Sequence, residues 1–289
     1  MCMIKLSDIC KYAKEIRWSR FKISYDFPED FYLQKWQTTK QIDGHYVAFR
    51  LLFLLSVSSQ IHLLTRFTAQ NAHLPFIYFT HWTFVSMGIY GLAHFILVIC
   101  GYTHQQTECY QDGGASVPSF SILELRLFNE ITLILANIAH NCAICVSVCF
   151  WSAFWTQEES DLTWGCKMYH VWLAVIIIWN YVLISINFKI EYAYLPFGFG
   201  VIYALFSGVF YLKGGVDHKG RHYIYKLVDW GRAPKIAISV VISSLIIAVL
   251  VQVVLFYLDK GKRNIYKKYF VKDDDEGAEM IDPTKRGFV

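Results

Sequence analysis

Charge is what this sequence has least of. Asp, Glu, Lys and Arg make up 17% of 289 residues, where a soluble domain carries about a quarter. The deficit sits in apolar runs long enough to cross a bilayer, which takes about 20 helical residues. Other absences narrow the function classes. The net charge of +4 comes mostly from the two ends, and no basic, aromatic stripe lies outside them, so nucleic acid is excluded as a partner and anionic lipid is the surface such tails suit. No cleavable signal peptide is legible, because the first strongly apolar run begins near Tyr46 behind a charged segment. No N-x-S/T acceptor occurs, so glycosylation offers no topological marker. Cys142, Cys145 and Cys149 lie within an apolar run, where packing is their ordinary use. Cys109 and Cys166 fall in loops that the topology below puts on opposite sides, so no disulfide is argued between them. The C-x-x-C at Cys142 and Cys145 has no matching pair, which excludes a zinc ribbon. Serine-hydrolase elbows, phosphate-binding glycine loops and H-E-x-x-H are also missing. No cofactor and no metal are expected.

What is present reads as an all-α, polytopic transmembrane helix bundle of about six spans. Residues 1–44 form a cytosolic or interfacial segment in which Trp18, Phe21, Phe27, Phe31 and Trp36 interleave with charge. The membrane domain covers 45–258. Its spans are expected at about His45 to Leu64, Pro75 to Cys100 (with Pro75 in the first helical turn), Leu123 to Trp155, Met168 to Phe188, Tyr192 to Leu212 and Ile236 to Leu258. Residues 259–289 form a cytosolic tail expected to be disordered, basic first and acidic from Asp273 to Glu276. Eight Lys or Arg precede the first span and eight follow the last, which places both termini in the cytosol. The loop between spans five and six carries six more on the other side, an opposing signal.

Polar residues inside membrane helices are the default place to look for function. Span two carries Thr80, His81, Thr83 and His94; Thr80, Thr83, Met87 and His94 share a face at helical spacing. Span three aligns Glu130, Asn137 and Asn141 on one stripe, with His140 beside it. Span four offers His170 and Asn180. Spans two to four are therefore expected to enclose a polar cavity. Counting about 1.5 Å per residue from the helix starts brings Thr80, His170 and His140 into one leaflet. A hydroxyl beside an imidazole can serve as nucleophile and general base. The plainer reading is packing: intramembrane threonines bond back to the preceding turn, and Asn and His hydrogen-bond between helices. His81 and His94 stand at a spacing that would suit paired haems, but spans three and four supply only one His each. His218 and His222 would bind metal only on a helix, and Gly214, Gly215 and Gly220 oppose one there.

The segments FIYFTHWTF (Phe76 to Phe84), YHVWLAVIIIWN (Tyr169 to Asn180), LPFGFGVIYALFSGVFY (Leu195 to Tyr211) and IYKLVDW (Ile224 to Trp230) resemble the rolling stone membrane proteins over roughly residues 30 to 260. That resemblance implies a multi-pass protein of the plasma membrane or endoplasmic reticulum, associated with myoblast fusion and acting through membrane lipids or membrane-protein partners. The family is also distantly similar to the androgen-induced membrane hydrolases, which cleave fatty acid esters of hydroxy fatty acids. By that similarity Thr80 matches an intramembrane threonine nucleophile and His170 its histidine, with a fatty-acyl ester as substrate. Asn180 stands where those hydrolases have a carboxylate, and His81 and Trp82 follow the rolling stone pattern instead. The fusion protein is the first functional reading; the lipid-ester hydrolase is the alternative.

Overall fold

A backbone crossing hydrocarbon has no water to bond, so it must satisfy every amide and carbonyl within the protein. A computed structural model, describing residues 23, 25, 28–37, 41–68, 74–110, 122–154, 164–217 and 220–270, meets that demand with six helices. They are α1 (Gly44–Thr68), α2 (Phe79–Tyr110), α3 (Ile122–Cys149), α4 (Trp164–Leu183), α5 (Tyr194–Leu212) and α6 (Pro234–Phe270). Five of them are long and apolar enough to cross a membrane. The fourth has a shorter apolar stretch, Lys167–Leu183.

The all-α bundle expected from the sequence is the fold observed. α3 is its axis. It packs against α2, α4, α5 and α6, while α1 lies mainly on α2 and α5 on α6. Gly91 lets α1 approach, because a Cβ there would stand 3.1 Å from the Phe53 ring. The core runs from Phe53 and Val57 through Met87, Tyr90, Leu133, Ala136 and Ala139 to Leu173, Ile177 and Leu255. Outward-facing Leu52, Leu55, Trp179, Ile202, Leu205, Ile246 and Leu250 remain exposed in the isolated chain, as lipid-facing side chains should.

Several boundaries differ from expectation. Pro75 belongs to a separate 3-10 turn, Leu74–Ile77, rather than to the first turn of α2. α2 starts only after Tyr78, whose carbonyl accepts from the His81 amide at 3.0 Å. The third span keeps its length, but its end loosens into a π-helical turn over Phe150–Phe154. Residues 259–270, expected in the tail, continue α6, because Leu255, Asp259 and Lys262 extend its buried face beyond the membrane-length stretch. The acidic end of the tail lies outside the described residues. His222 sits in an irregular loop, with Gly214 and Gly220 at φ 71° and 74°; His218 lies outside the described residues.

The largest correction concerns the fourth span. The helix stops at Leu183 instead of reaching Phe188, and an extended segment follows. Ile184, Ile186 and Phe188 alternate with Ser185, Asn187 and Lys189, the period of a strand. All three apolar side chains are buried. A helix end leaves its last four carbonyls without intrahelical partners, and here each finds one. The Asn180 carbonyl accepts from the Ile184 amide at 3.1 Å. That of Tyr181 accepts from Lys262 Nζ at 2.9 Å, that of Val182 from Trp36 Nε1 at 2.9 Å, and that of Leu183 from the Lys35 amide at 2.8 Å. Lys262 also donates to the Ile184 carbonyl at 3.3 Å and pairs with Asp259 at 3.4 Å.

The segment entering α1 and the end of α6 thus close over α4 together. Tyr266 donates to the Gln37 carbonyl at 2.8 Å, and the Trp36 and Phe270 rings stand 5.9 Å apart. The segment before α1 and the end of α6 therefore share one face of the bundle. Burial holds the Lys35 ammonium below its ordinary value there, against the opposing pull of the Asp259 carboxylate.

Lys262→Met should leave the Tyr181 and Ile184 carbonyls without their donor. The expected result is loss of hydrogen-exchange protection over 184–189 and a stability loss of about 1–3 kcal/mol. Lys260→Met, two positions earlier on the exposed face of the same helix, should leave protection unchanged.

Candidate functional site

Several polar residues of the inner helices gather into hydrogen-bonded clusters. Asn180, three positions before the end of α4, is fully buried and is the hub. Its Oδ1 accepts from Arg50 Nη1 of α1. Its amide nitrogen donates to the Tyr90 hydroxyl of α2 at 3.2 Å and to His140 Nε2 of α3 at 2.8 Å. One carboxamide therefore joins four helices, using one acceptor and both donor hydrogens.

The partners fix both imidazole tautomers. His140 Nδ1–H donates to the Ala136 carbonyl at 2.7 Å, so its Nε2 carries the lone pair that accepts from Asn180. His94 Nε2–H donates to the Phe31 carbonyl at 2.9 Å, so its Nδ1 accepts from Tyr90 at 2.9 Å. The chain of bonds runs from the Phe31 carbonyl through His94, Tyr90 and Asn180 to His140 with consistent donors and acceptors. Neutral histidines complete it. A proton added to either ring would break a bond, because the imidazolium has no acceptor.

Arg50 is the charge in this cluster. It is fully buried and lies 5.1 Å from the Phe53 ring centre and 5.5 Å from that of Tyr90, at cation–π distance. The sequence reading did not single it out, although a lone cation inside an apolar span is itself a signal.

A second cluster joins α3 to α6. Gln252 Nε2 donates to Asn137 Oδ1 at 2.8 Å and to the Lys189 carbonyl at 2.9 Å. Asn141 donates to Gln252 Oε1 at 3.1 Å and to the Ala248 carbonyl at 2.9 Å. Asn137 donates back to the Leu133 carbonyl at 2.9 Å, and the Cys145 thiol donates to Asn141 Oδ1 at 3.3 Å. Gln252 was also missed, since its span contains no charge and one amide in it drew no attention.

The remaining candidates are scattered. Thr83 bonds to the Phe79 carbonyl at 3.0 Å, one turn back on its own helix. Glu130 pairs with Arg126 at 3.2 Å. Thr80 lies close to the Tyr225 hydroxyl, which accepts from the Phe79 amide at 3.0 Å. Its neighbour thus comes from the loop before α6. The His170 ring stacks on Phe150 with centres 3.7 Å apart and planes inclined by 11°, and its Nδ1 has no hydrogen-bond partner. His81 lies against Tyr78, its ring centre 5.7 Å away, with both nitrogens unpartnered. His140, expected beside Thr80 and His170, belongs instead to the Asn180 cluster. Among the described residues no group of three or more His, Cys, Asp or Glu is placed to hold a metal ion.

The family model of protein rolling stone matches residues 3–278 of this chain. The chain belongs to the rolling stone family. Protein rolling stone of Drosophila melanogaster is 24% identical over 269 residues, covering 91% of this chain and 94% of its own length. No solved structure matches. The match of this rolling stone family member spans Thr80, His170 and the hub Asn180 alike.

Asn180→Leu should cost about 3 kcal/mol or more, because it leaves the Arg50 charge without its acceptor and takes a hydrogen bond from each of Tyr90 and His140. Gln252→Leu should cost about 1–2 kcal/mol. Thermal unfolding in detergent micelles checks both, and equal costs would contradict the ranking.

Proposed function

We propose that this rolling stone family member acts in cell fusion, as in the joining of myoblasts, through contacts of its outer surface with membrane lipids or other membrane proteins. The observation that carries the reading is the family match along nearly the whole chain, 3–278. The division of the molecule supports it. Two hydrogen-bonded clusters hold the inner helices together, and the apolar periphery meets the surroundings. α5 and α6 present Phe197, Ile202, Leu205 and Val209 beside Ile242, Ile246, Leu250 and Val254, all exposed in the isolated chain. In a bilayer such faces lie against acyl chains or another helix.

No observation favours the lipid-ester hydrolase. A threonine nucleophile needs its base within hydrogen-bond reach; Thr80 contacts Tyr225, and His170 stacks on Phe150.

The test is cell mixing. Fusion-competent precursor cells depleted of the protein are expected to form fewer multinucleate cells, and the wild-type chain to restore them. Thr80→Val and His170→Gln should restore mixing as well as wild type at equal membrane abundance. Normal mixing in depleted cells would overturn the fusion role. Rescue lost in both variants would move the reading to the hydrolase.

A further inference from the structure

Arg50 and Tyr46 stand one turn apart on α1 and face inward together. Both are buried, Arg50 at 0% and Tyr46 at 2% exposure. Arg50 Nη1 is bonded to Asn180, but its Nε and Nη2 have no hydrogen-bond partner, and neither has the Tyr46 hydroxyl. Among the described residues no carboxylate stands at ion-pair distance from the guanidinium. The unmet donors therefore belong to two neighbouring side chains, and one of them carries a full charge.

Neutral contacts do not resolve this. The Phe53 and Tyr90 rings offer their faces to the guanidinium, 5.1 and 5.5 Å away, but they accept none of its in-plane hydrogens. A bound water would accept hydrogen bonds without balancing the charge. An oxyanion does both, and the fork of Nε–H and Nη2–H is the geometry that receives two oxygens of a carboxylate or phosphate. A membrane lipid is the nearest source. Gly44 opens the membrane-length stretch of α1, and Arg50 lies six positions, about 9 Å, inside that end.

We propose that Arg50 and Tyr46 form a binding site for an oxyanion, the carboxylate or phosphate of a membrane lipid. Arg50 holds it by a two-pronged, charge-assisted hydrogen bond, and the Tyr46 hydroxyl donates a third. Asn180 positions the guanidinium by taking up Nη1.

The experiment uses the full chain purified in neutral detergent. Lipid extracted from the pure protein is identified by mass spectrometry, and thermal unfolding is followed with added oleate, phosphatidic acid, inorganic phosphate or uncharged monoolein. Wild type is expected to retain an acidic lipid, or to gain stability with oleate or phosphatidic acid and not with monoolein. An equal gain with inorganic phosphate would keep the site and assign it to a free anion. Tyr46→Phe keeps the charge and loses an unpartnered donor. Without anion it should be as stable as wild type or more so, while the anion-induced gain or the retained lipid falls several-fold. Arg50→Met should abolish both. Wild type that neither retains an acidic lipid nor responds to any oxyanion would overturn the site and leave water as the occupant. So would a Tyr46→Phe protein with an undiminished response.

Discussion

A guanidinium buried among aromatic rings, with one carboxamide oxygen to hold it, is the constraint around which this bundle is arranged. A buried charge is costly unless it is paired and hydrogen-bonded, so the side chain meeting Arg50 must be held in place. Asn180 Oδ1 is turned toward the charge because both hydrogens of its amide are committed elsewhere, to Tyr90 and to His140. Those partners are in turn set by backbone carbonyls, Ala136 for His140 and Phe31 for the His94 that orients Tyr90. Reversing the carboxamide would set hydrogens against hydrogens at Arg50 and two oxygens against each other at Tyr90. The network therefore has a direction, and α1, α2, α3 and α4 keep their relative positions to preserve it.

The end of α4 follows from the same rule applied to the backbone. Four carbonyls are released where the helix stops, and the molecule brings an amide from the next turn, a lysine from α6 and two groups from residues 35 and 36 to meet them. The fold of the terminal face, where the segment before α1 meets the extension of α6, is in this sense the cap of one helix. The exposed faces of α5 and α6 carry no such obligation, which suits them to contacts with lipid or other proteins.

Much of this was legible in the sequence. The apolar runs place all six helices, because bilayer thickness and a missing solvent leave little choice of structure. Thr83, His94, Asn137, His140, Asn141 and Asn180 stood out as polar residues in apolar surroundings, and all are buried. How they pair was not legible. Asn180 reaches three other helices through contacts 40, 90 and 130 positions away in sequence, and no local pattern encodes those. Two signals were present and passed over. The alternation from Ile184 to Ile190 marks an extended segment, but it directly continues an apolar helix and reads as part of it. Arg50 was the lone cation of its span, yet it resembled a boundary residue near the start of a run. Lys262 and Asp259 looked like tail charges for a similar reason: their burial depends on a helix continuing past the membrane, which hydropathy does not reveal.

The hub is tested most directly by a double-mutant cycle between Arg50 and Asn180, using Arg50→Met, Asn180→Leu and the pair, with unfolding free energies measured in one detergent. If Asn180 holds the guanidinium as described, Asn180→Leu costs far less in the Arg50→Met background, where no buried charge remains to be left unpaired. The expected coupling is about 1–3 kcal/mol. Costs that simply add would contradict the account, because Arg50 and Asn180 would then stabilise the bundle independently.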